Sequence, residues 1–278
     1  MINRTVKIRT WQVLGNAFLL LLAFLTAMPF VYMVSASFKP NGELFTIPIR
    51  IFPRRLYVQN YEILLTQIPF VRWFLNSVVV ASARMVISIV ISVMAGYAFA
   101  KFDFRLKGFL FVFVLATLTL PIYVLIVPLY QLMITFGWTN SYIGLILPLT
   151  AQAIGVFLAR QYLLSIPDEL LDAARIDGAR EWGVFWRIVL PLTTPIVAVL
   201  AILTFVGAWN DYTWPLIVLT DSSLFTVSLG LPTLVGPYEQ QYGAIMAGSF
   251  LGTLPIIIIF IFVQRRFVEA MTAGAVKG

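Results

Sequence analysis

Six apolar blocks divide the chain, at about 11–34, 74–100, 108–134, 142–162, 192–218 and 243–263. Each reaches the roughly 20 residues that an α-helix needs to cross the hydrocarbon of a bilayer. The core of a large soluble protein would instead show shorter amphipathic stripes. Pro121, Pro128, Pro148, Pro215 and Pro255 lie in or beside the blocks. Neighbouring helices and local distortion can satisfy the carbonyls that a proline frees there. The pattern predicts an all-α, polytopic membrane protein with six transmembrane helices, forming a single transmembrane domain over 1–278. Arg4, Lys7 and Arg9 give the first block the basic start of a signal peptide. That block is longer than a signal core and has no clear small-residue cleavage site, so it is expected to remain as the first helix.

Composition sharpens this reading. Of 278 residues, 60% are hydrophobic and 11% charged, against about 25% charged in ordinary soluble domains. Mean hydropathy is +0.93. The chain has no Cys and no His, which removes disulfides, thiol chemistry and His-based metal or acid–base sites. Net charge is +7. A nucleic-acid partner would need Lys and Arg clustered on a solvated face, but here they occupy the segments between apolar blocks. One side holds thirteen: Arg4, Lys7, Arg9, Lys101, Arg105, Lys107, Arg160, Arg175, Arg180, Arg187, Arg265, Arg266 and Lys277. The other holds Lys39, Arg50, Arg54, Arg55 and Arg72, all in one long loop. The positive-inside rule then makes the first side, with both termini, cytoplasmic.

The segment 166–191 carries the most information. Pro167, Asp168 and Glu169 make a good helix start, with Leu170, Leu171, Ala174 and Ile176 supplying a small apolar face. Asp177-Gly178 should break the helix, since Gly accepts the left-handed conformation that often stops one. A second amphipathic piece follows, with Trp182, Phe185, Trp186 and Val189 on one side and Pro191 at its end. Such a helix–turn–helix suits either insertion into a cleft on another protein or packing on lipid headgroups.

The pattern Asp172-Ala173-Ala174-x-x-Asp177-Gly178-Ala179, followed by Phe185 and Leu190-Pro191, resembles the EAA loop of ABC importer permeases, closest to carbohydrate importers of the maltose-permease type. The likeness continues in Ser37-Phe38-Lys39-Pro40, Asn76-Ser77, Trp209-Asn210-Asp211, Trp214-Pro215-Leu216 and the terminal Thr272-Ala273-Gly274-Ala275-Val276-Lys277-Gly278. It implies a permease subunit for binding-protein-dependent import of an oligosaccharide or disaccharide across the cell inner membrane, coupled to a separate ATPase through the 172–191 loop. Related permeases also carry glycerol phosphates. The implied partners are a second permease subunit, a homo- or heterodimeric ATPase and an extracytoplasmic sugar-binding protein, all within membrane lipid. ATP and magnesium would sit on the ATPase, leaving this chain without a cofactor, a metal or catalytic residues. The absence of a Gly-x-x-x-x-Gly-Lys-Ser/Thr loop agrees with that division. The implied coupling residues are Asp172, Ala173, Ala174, Asp177, Gly178, Ala179, Phe185, Lys277 and Gly278. The first position of the motif is usually Glu; Asp172 is one methylene shorter, and Glu169 lies one turn earlier.

Three further features have two readings each. Trp209, Asn210, Asp211 and Tyr212 combine rings with polar groups, as a sugar pathway would, or form an interfacial aromatic belt at a kinked helix end. Loop 219–241, with Gly230, Pro232, Gly236, Pro237 and Tyr238, either meets the binding protein, as in the maltose-type permease, or packs between two spans. The tail 274–278 either frays or, as the resemblance implies, reaches the ATPase. Arg84 lies deep in the second block with no obvious acidic residue at its depth, so it is expected to snorkel or to meet a partner subunit. A secondary transporter would show internal repeats and ion-coupling charges, and a membrane enzyme would need a catalytic His, Cys or carboxylate pair; the sequence offers neither.

Overall fold

A computed structural model of the chain describes residues 2–235 and 241–273, with side chains described over 12–235 and 241–264. Its α-helices are, in order, α1 (Ile2–Ser37), α2 (Asn41–Leu44), α3 (Gln59–Thr66), α4 (Phe70–Lys101), α5 (Lys107–Ala116), α6 (Ile122–Phe136), α7 (Tyr142–Ile146) and α8 (Ala153–Leu163). There follow α9 (Asp168–Ile176), α10 (Glu181–Val184), α11 (Leu190–Leu192), α12 (Thr194–Trp209), α13 (Thr213–Val218), α14 (Val227–Gly230) and α15 (Tyr242–Ala273). Among the described residues there is no β-strand.

Among the described residues, three helices are singly long and apolar enough to cross a membrane: Gln12–Ser37, Phe70–Lys101 and Tyr242–Gln264. Three bent pairs raise the number to six if each counts as one span. Lys107–Thr119 and Ile122–Phe136 meet at 103°, Tyr142–Leu149 and Ala153–Leu163 at 48°, and Glu181–Leu192 and Thr194–Trp209 at 77°. The first bend falls where Leu120 is extended (ψ 116) before Pro121, because a proline ring disfavours the helical conformation of the residue preceding it. Pro128, by contrast, sits inside α6 without ending it. The fifth block, predicted as one helix over 192–218, is interrupted instead. α12 stops at Trp209, and the Asp211 carboxylate accepts from the Trp214 N–H (3.2 Å), starting α13.

The chain forms two compact units. In the first, within Met1–Phe70 and Leu231–Thr253, the Ser37–Pro40 motif found in the sequence is a buried knot. Asn60 Nδ2 donates to the carbonyls of Ser37 and Lys39, both at 2.8 Å, and Lys39 Nζ donates to the Arg50 carbonyl at 2.5 Å. The Lys39 ammonium also lies 4.8 Å from the Tyr32 ring centroid. These bonds hold the backbone of a long polar loop that has no regular ladder of its own.

The second unit comprises Val71–Gly230 and Leu254–Gly278. Its helices α4 and α8 cross at small residues. A Cβ on Gly96 would lie 2.7 Å from Ala159 Cβ and 2.8 Å from the Arg160 nitrogen, and one on Gly155 would meet Ser92. Ser92/Gly96 and Gly155/Ala159 thus form facing small-x-x-x-small pairs, the packing that lets membrane helices approach closely. The Ser92 hydroxyl is buried there with no hydrogen-bond partner among the described residues.

Candidate functional site

Segment 166–191 folds as the helix–turn–helix expected from its residues. α9 ends on a turn in which the Gly178 N–H donates to the Arg175 carbonyl and the Ala179 N–H to the Ala174 carbonyl, both at 3.0 Å. Gly178 has φ +84, as this helix stop requires. Pro167 precedes the first helical residue, Asp168, rather than occupying the first turn.

Leu171, Ala174, Val184, Phe185 and Val189 bury against Val93 and Tyr97 of α4, Leu163 of α8, and Ile196 and Leu200 of α12. Two expectations about faces are corrected. Leu170 and Ile176 do not join the buried face; both are exposed, Ile176 at 86%. Trp182 and Trp186 are exposed, while Val184, Phe185 and Val189 point inward. Apolar residues run almost unbroken from Trp182 to Val189, so periodicity cannot choose between adjacent stripes. A π turn over Phe185–Val189 then places the second half of the stripe.

Polar contacts tie this segment together and to α4. Arg175 donates to Asp172 (2.8 Å) and to Glu181 (2.7 and 3.4 Å), bridging the two arms of the turn. Its guanidinium is pushed further up from its ordinary pKa, mainly by the hydrogen bond to Glu181 and then, against burial, by the one to Asp172. Tyr97 of α4 donates to Glu181 (3.2 Å), and Lys101 donates to the Ile166 carbonyl (2.5 Å) and to Asp168 (2.6 Å). The hydrogen bond from Lys101, with its charge, holds the Asp168 carboxyl below the usual carboxylate range. Sequence reasoning missed Tyr97, Lys101, Arg175 and Glu181. Only the Asp172/Arg175 spacing gave a helical signal, since Glu181 lies across the turn on α10 and Tyr97 and Lys101 come from the distant α4. Asp172, Ala173, Asp177 and Gly178 are exposed beside Ile176, while Ala174 and Phe185 are buried and Ala179 is partly so. Glu169 is exposed as well. Lys277 and Gly278, with the rest of 274–278, lie outside the described residues.

The structure separates the roles of the quartet at 209–212. Trp209 is buried, stacked on Phe205 and edge-on to Phe74. Asp211 receives a hydrogen bond from Arg84 at 2.9 Å, which gives Arg84 a partner within this chain, 127 residues away. Asn210 and Tyr212 are exposed. The Asp211 carbonyl also accepts from Ser228 Oγ at 2.7 Å.

Loop residues 219–230 pack on the start of α4. Asn76 donates to the carbonyls of Ser223 and Phe225, both at 2.9 Å, Ser77 Oγ accepts from the Val227 N–H, and Trp73 donates to the Ser222 carbonyl. Asn140 accepts from the N–H groups of Thr220 and Asp221. Gly230 lies so close to Trp73 that a Cβ would overlap the indole. Gly236, Pro237 and Tyr238 lie outside the described residues.

Residues 88–272 match the family described as binding-protein-dependent transport system inner membrane component. The chain is 41% identical over 280 residues to the arabinooligosaccharides transport system permease protein AraQ of Halalkalibacterium halodurans, with 99% of each covered. It is 33% identical over 273 residues to the lactose transport system permease protein LacG of Rhizobium radiobacter, covering 98% of this chain and 99% of that one. It is also 35% identical over 250 residues to the sn-glycerol-3-phosphate transport system permease protein UgpE of Yersinia pestis, covering 87% and 89%. Among solved structures, it shares the fold of a chain from a bacterial ABC transporter involved in the import of the acidic polysaccharide alginate, with TM-score 0.82, 21% identity, and 93% and 97% coverage.

Proposed function

The chain belongs to the family of binding-protein-dependent transport system inner membrane components, and from that premise we propose that it is the permease subunit of an ATP-driven carbohydrate importer. The substrate class follows the arabinooligosaccharide and lactose permeases that align along nearly its whole length. It is a multi-pass membrane protein of the cell inner membrane, and its Lys and Arg distribution supports both termini being cytoplasmic. Its partners are a second permease subunit, an ATPase of identical or different subunits that binds ATP and magnesium, and an extracytoplasmic sugar-binding protein.

The observation that carries the coupling role is the 166–191 segment. It is stapled by Arg175, anchored to α4, and presents Asp172, Ala173, Ile176, Asp177 and Gly178 outward. A rigid element with an apolar tip among charges suits docking into a cleft of the ATPase, so that closure of the ATPase displaces the loop as a body. Ala174, Ala179 and Phe185 hold the loop on the membrane helices, and Lys277 and Gly278 are assigned to the same cytoplasmic contact. In the pathway, Asn210 and Tyr212 are the groups that meet sugar, a hydroxyl partner and a stacking ring, while Trp209 and Asp211 fix their backbone.

The test is reconstitution with the co-purifying permease, ATPase and binding protein in proteoliposomes. Uptake of labelled arabino-oligosaccharide or lactose should require ATP and all components. Uptake that persists without the ATPase overturns the reading, and uptake of glycerol phosphate alone moves the substrate class to that of the UgpE relative.

A further inference from the structure

Helix α4 is fastened at two separate levels. Near its C-terminal end Lys101 holds Asp168 and the Ile166 carbonyl, and Tyr97 holds Glu181, all in the 166–191 segment. About 25 Å further along, at 1.5 Å per residue, Arg84 holds Asp211 at the break between α12 and α13. Helix α12 itself leaves the 166–191 segment at Thr194 and runs to that same break. So α12 is joined to α4 at both of its own ends, once through the loop and once, just past Trp209, through the ion pair that meets α4 near its middle.

The pair is largely buried and held from several sides. Side-chain exposure is 6% for Arg84 and 16% for Asp211. Ala81, Phe205, Ala208 and Trp209 form an apolar cluster beside it. Asp211 also accepts from the Trp214 N–H and, through its carbonyl, from Ser228. Apolar side chains of similar volume would hold two helices together at least as well, since desolvating two charges offsets most of their attraction. A hydrogen-bonded ion pair adds a fixed position and direction. Charges kept inside membrane segments are, as a rule, functional.

We propose that Arg84 and Asp211 are positioning residues that transmit displacement of the 166–191 loop, along α4, to the chain break where Asn210 and Tyr212 are exposed. With the pair intact, α4 cannot slide past the end of α12, so a loop carried by its partner must move the break with it. Without the pair, the two helices can shear and the stroke is lost. The proposal rests on the permease reading, in which an ATPase moves the loop.

The test uses the full transporter in proteoliposomes and reads two quantities: the amount of assembled complex, and substrate imported per ATP hydrolysed. Arg84→Met combined with Asp211→Asn removes both charges and leaves neither unpaired, so the complex should assemble in near-parental amount. The expected result is continued ATP hydrolysis with import per ATP reduced tenfold or more. Arg84→Lys, which can still meet Asp211, should keep at least half of the parental ratio. A double variant that assembles and imports as much per ATP as the parent overturns the proposal and shows a structural pair only. If the double variant does not assemble, Lys101→Met with Asp168→Asn decides at the other fastening, where Asp168 is 73% exposed. The same tenfold loss there supports the proposal, and an unchanged ratio overturns it. A parental complex with no ATP-driven import overturns the permease reading and this proposal with it; the variants fail the proposal alone when the parent imports.

Discussion

Gly178 occupies the left-handed region at φ +84, and outside residues 177–179 no described heavy atom lies within 4 Å of the position a Cβ would take. Crowding by other parts of the fold is therefore not what reserves the site for glycine; the local clash of a Cβ with its own backbone in this conformation is, at about 1–2 kcal/mol for an L side chain. Gly178→Ala should leave the helices in place but loosen the turn. Amide exchange at residues 178 and 179, whose N–H groups close the turn, should speed up by roughly 5- to 30-fold, the factor that matches that energy. Gly178→Asn should speed it less, because Asn visits this region more readily. Equal protection in the Ala variant would mean that the turn is held by its flanking packing instead. This residue was legible in the sequence because a positive φ after a helix is a local demand. The partner of Arg84 was not. Asp211 stands in another apolar block, and depth in a membrane cannot be compared between blocks until the break after Trp209 is known.

At the scale of elements, the α4–α8 crossing sets how closely two helices approach. Gly96 faces the backbone nitrogen of Arg160, which cannot rotate away, so Gly96→Leu should separate the helices and lower the unfolding temperature of the purified protein by several degrees. Overpacking typically costs about 1–3 kcal/mol. Ser92→Ala should do the reverse and stabilise by about 1 kcal/mol, because it removes a buried hydroxyl that has no hydrogen-bond partner among the described residues. An Ala variant that melts lower would reveal a partner for that hydroxyl. The apolar blocks were readable at this scale, but their breaks were not. Pro121 follows an extended Leu120 at a 103° bend, whereas Pro128 rides within α6. The residue type is the same, and surrounding packing selects the outcome. The mostly apolar stretch 182–189 behaves likewise: Trp182 and Trp186 face outward because Val184, Phe185 and Val189 fit the hollow between α4, α8 and α12.

For the whole molecule, the remaining choice is which side of the membrane receives the 166–191 segment. The chain has no Cys, so single cysteines can be placed in a silent background. An impermeant maleimide added to intact cells should modify Ser222→Cys and spare Ile176→Cys, both exposed positions, until the membrane is opened. The opposite pattern would invert the orientation derived from Lys and Arg. What the sequence alone determined is what depends on local chemistry: membrane class from block length and the turn at Gly178 from backbone conformation, with charge supplying the expected orientation that the maleimide test checks. Tertiary structure decided the rest. Lys101 met Asp168, Arg84 met Asp211, and Asn76 met the carbonyls of the 219–230 loop. These partners lie tens to more than a hundred residues apart in sequence, and no periodicity within one block records which face of another it will touch.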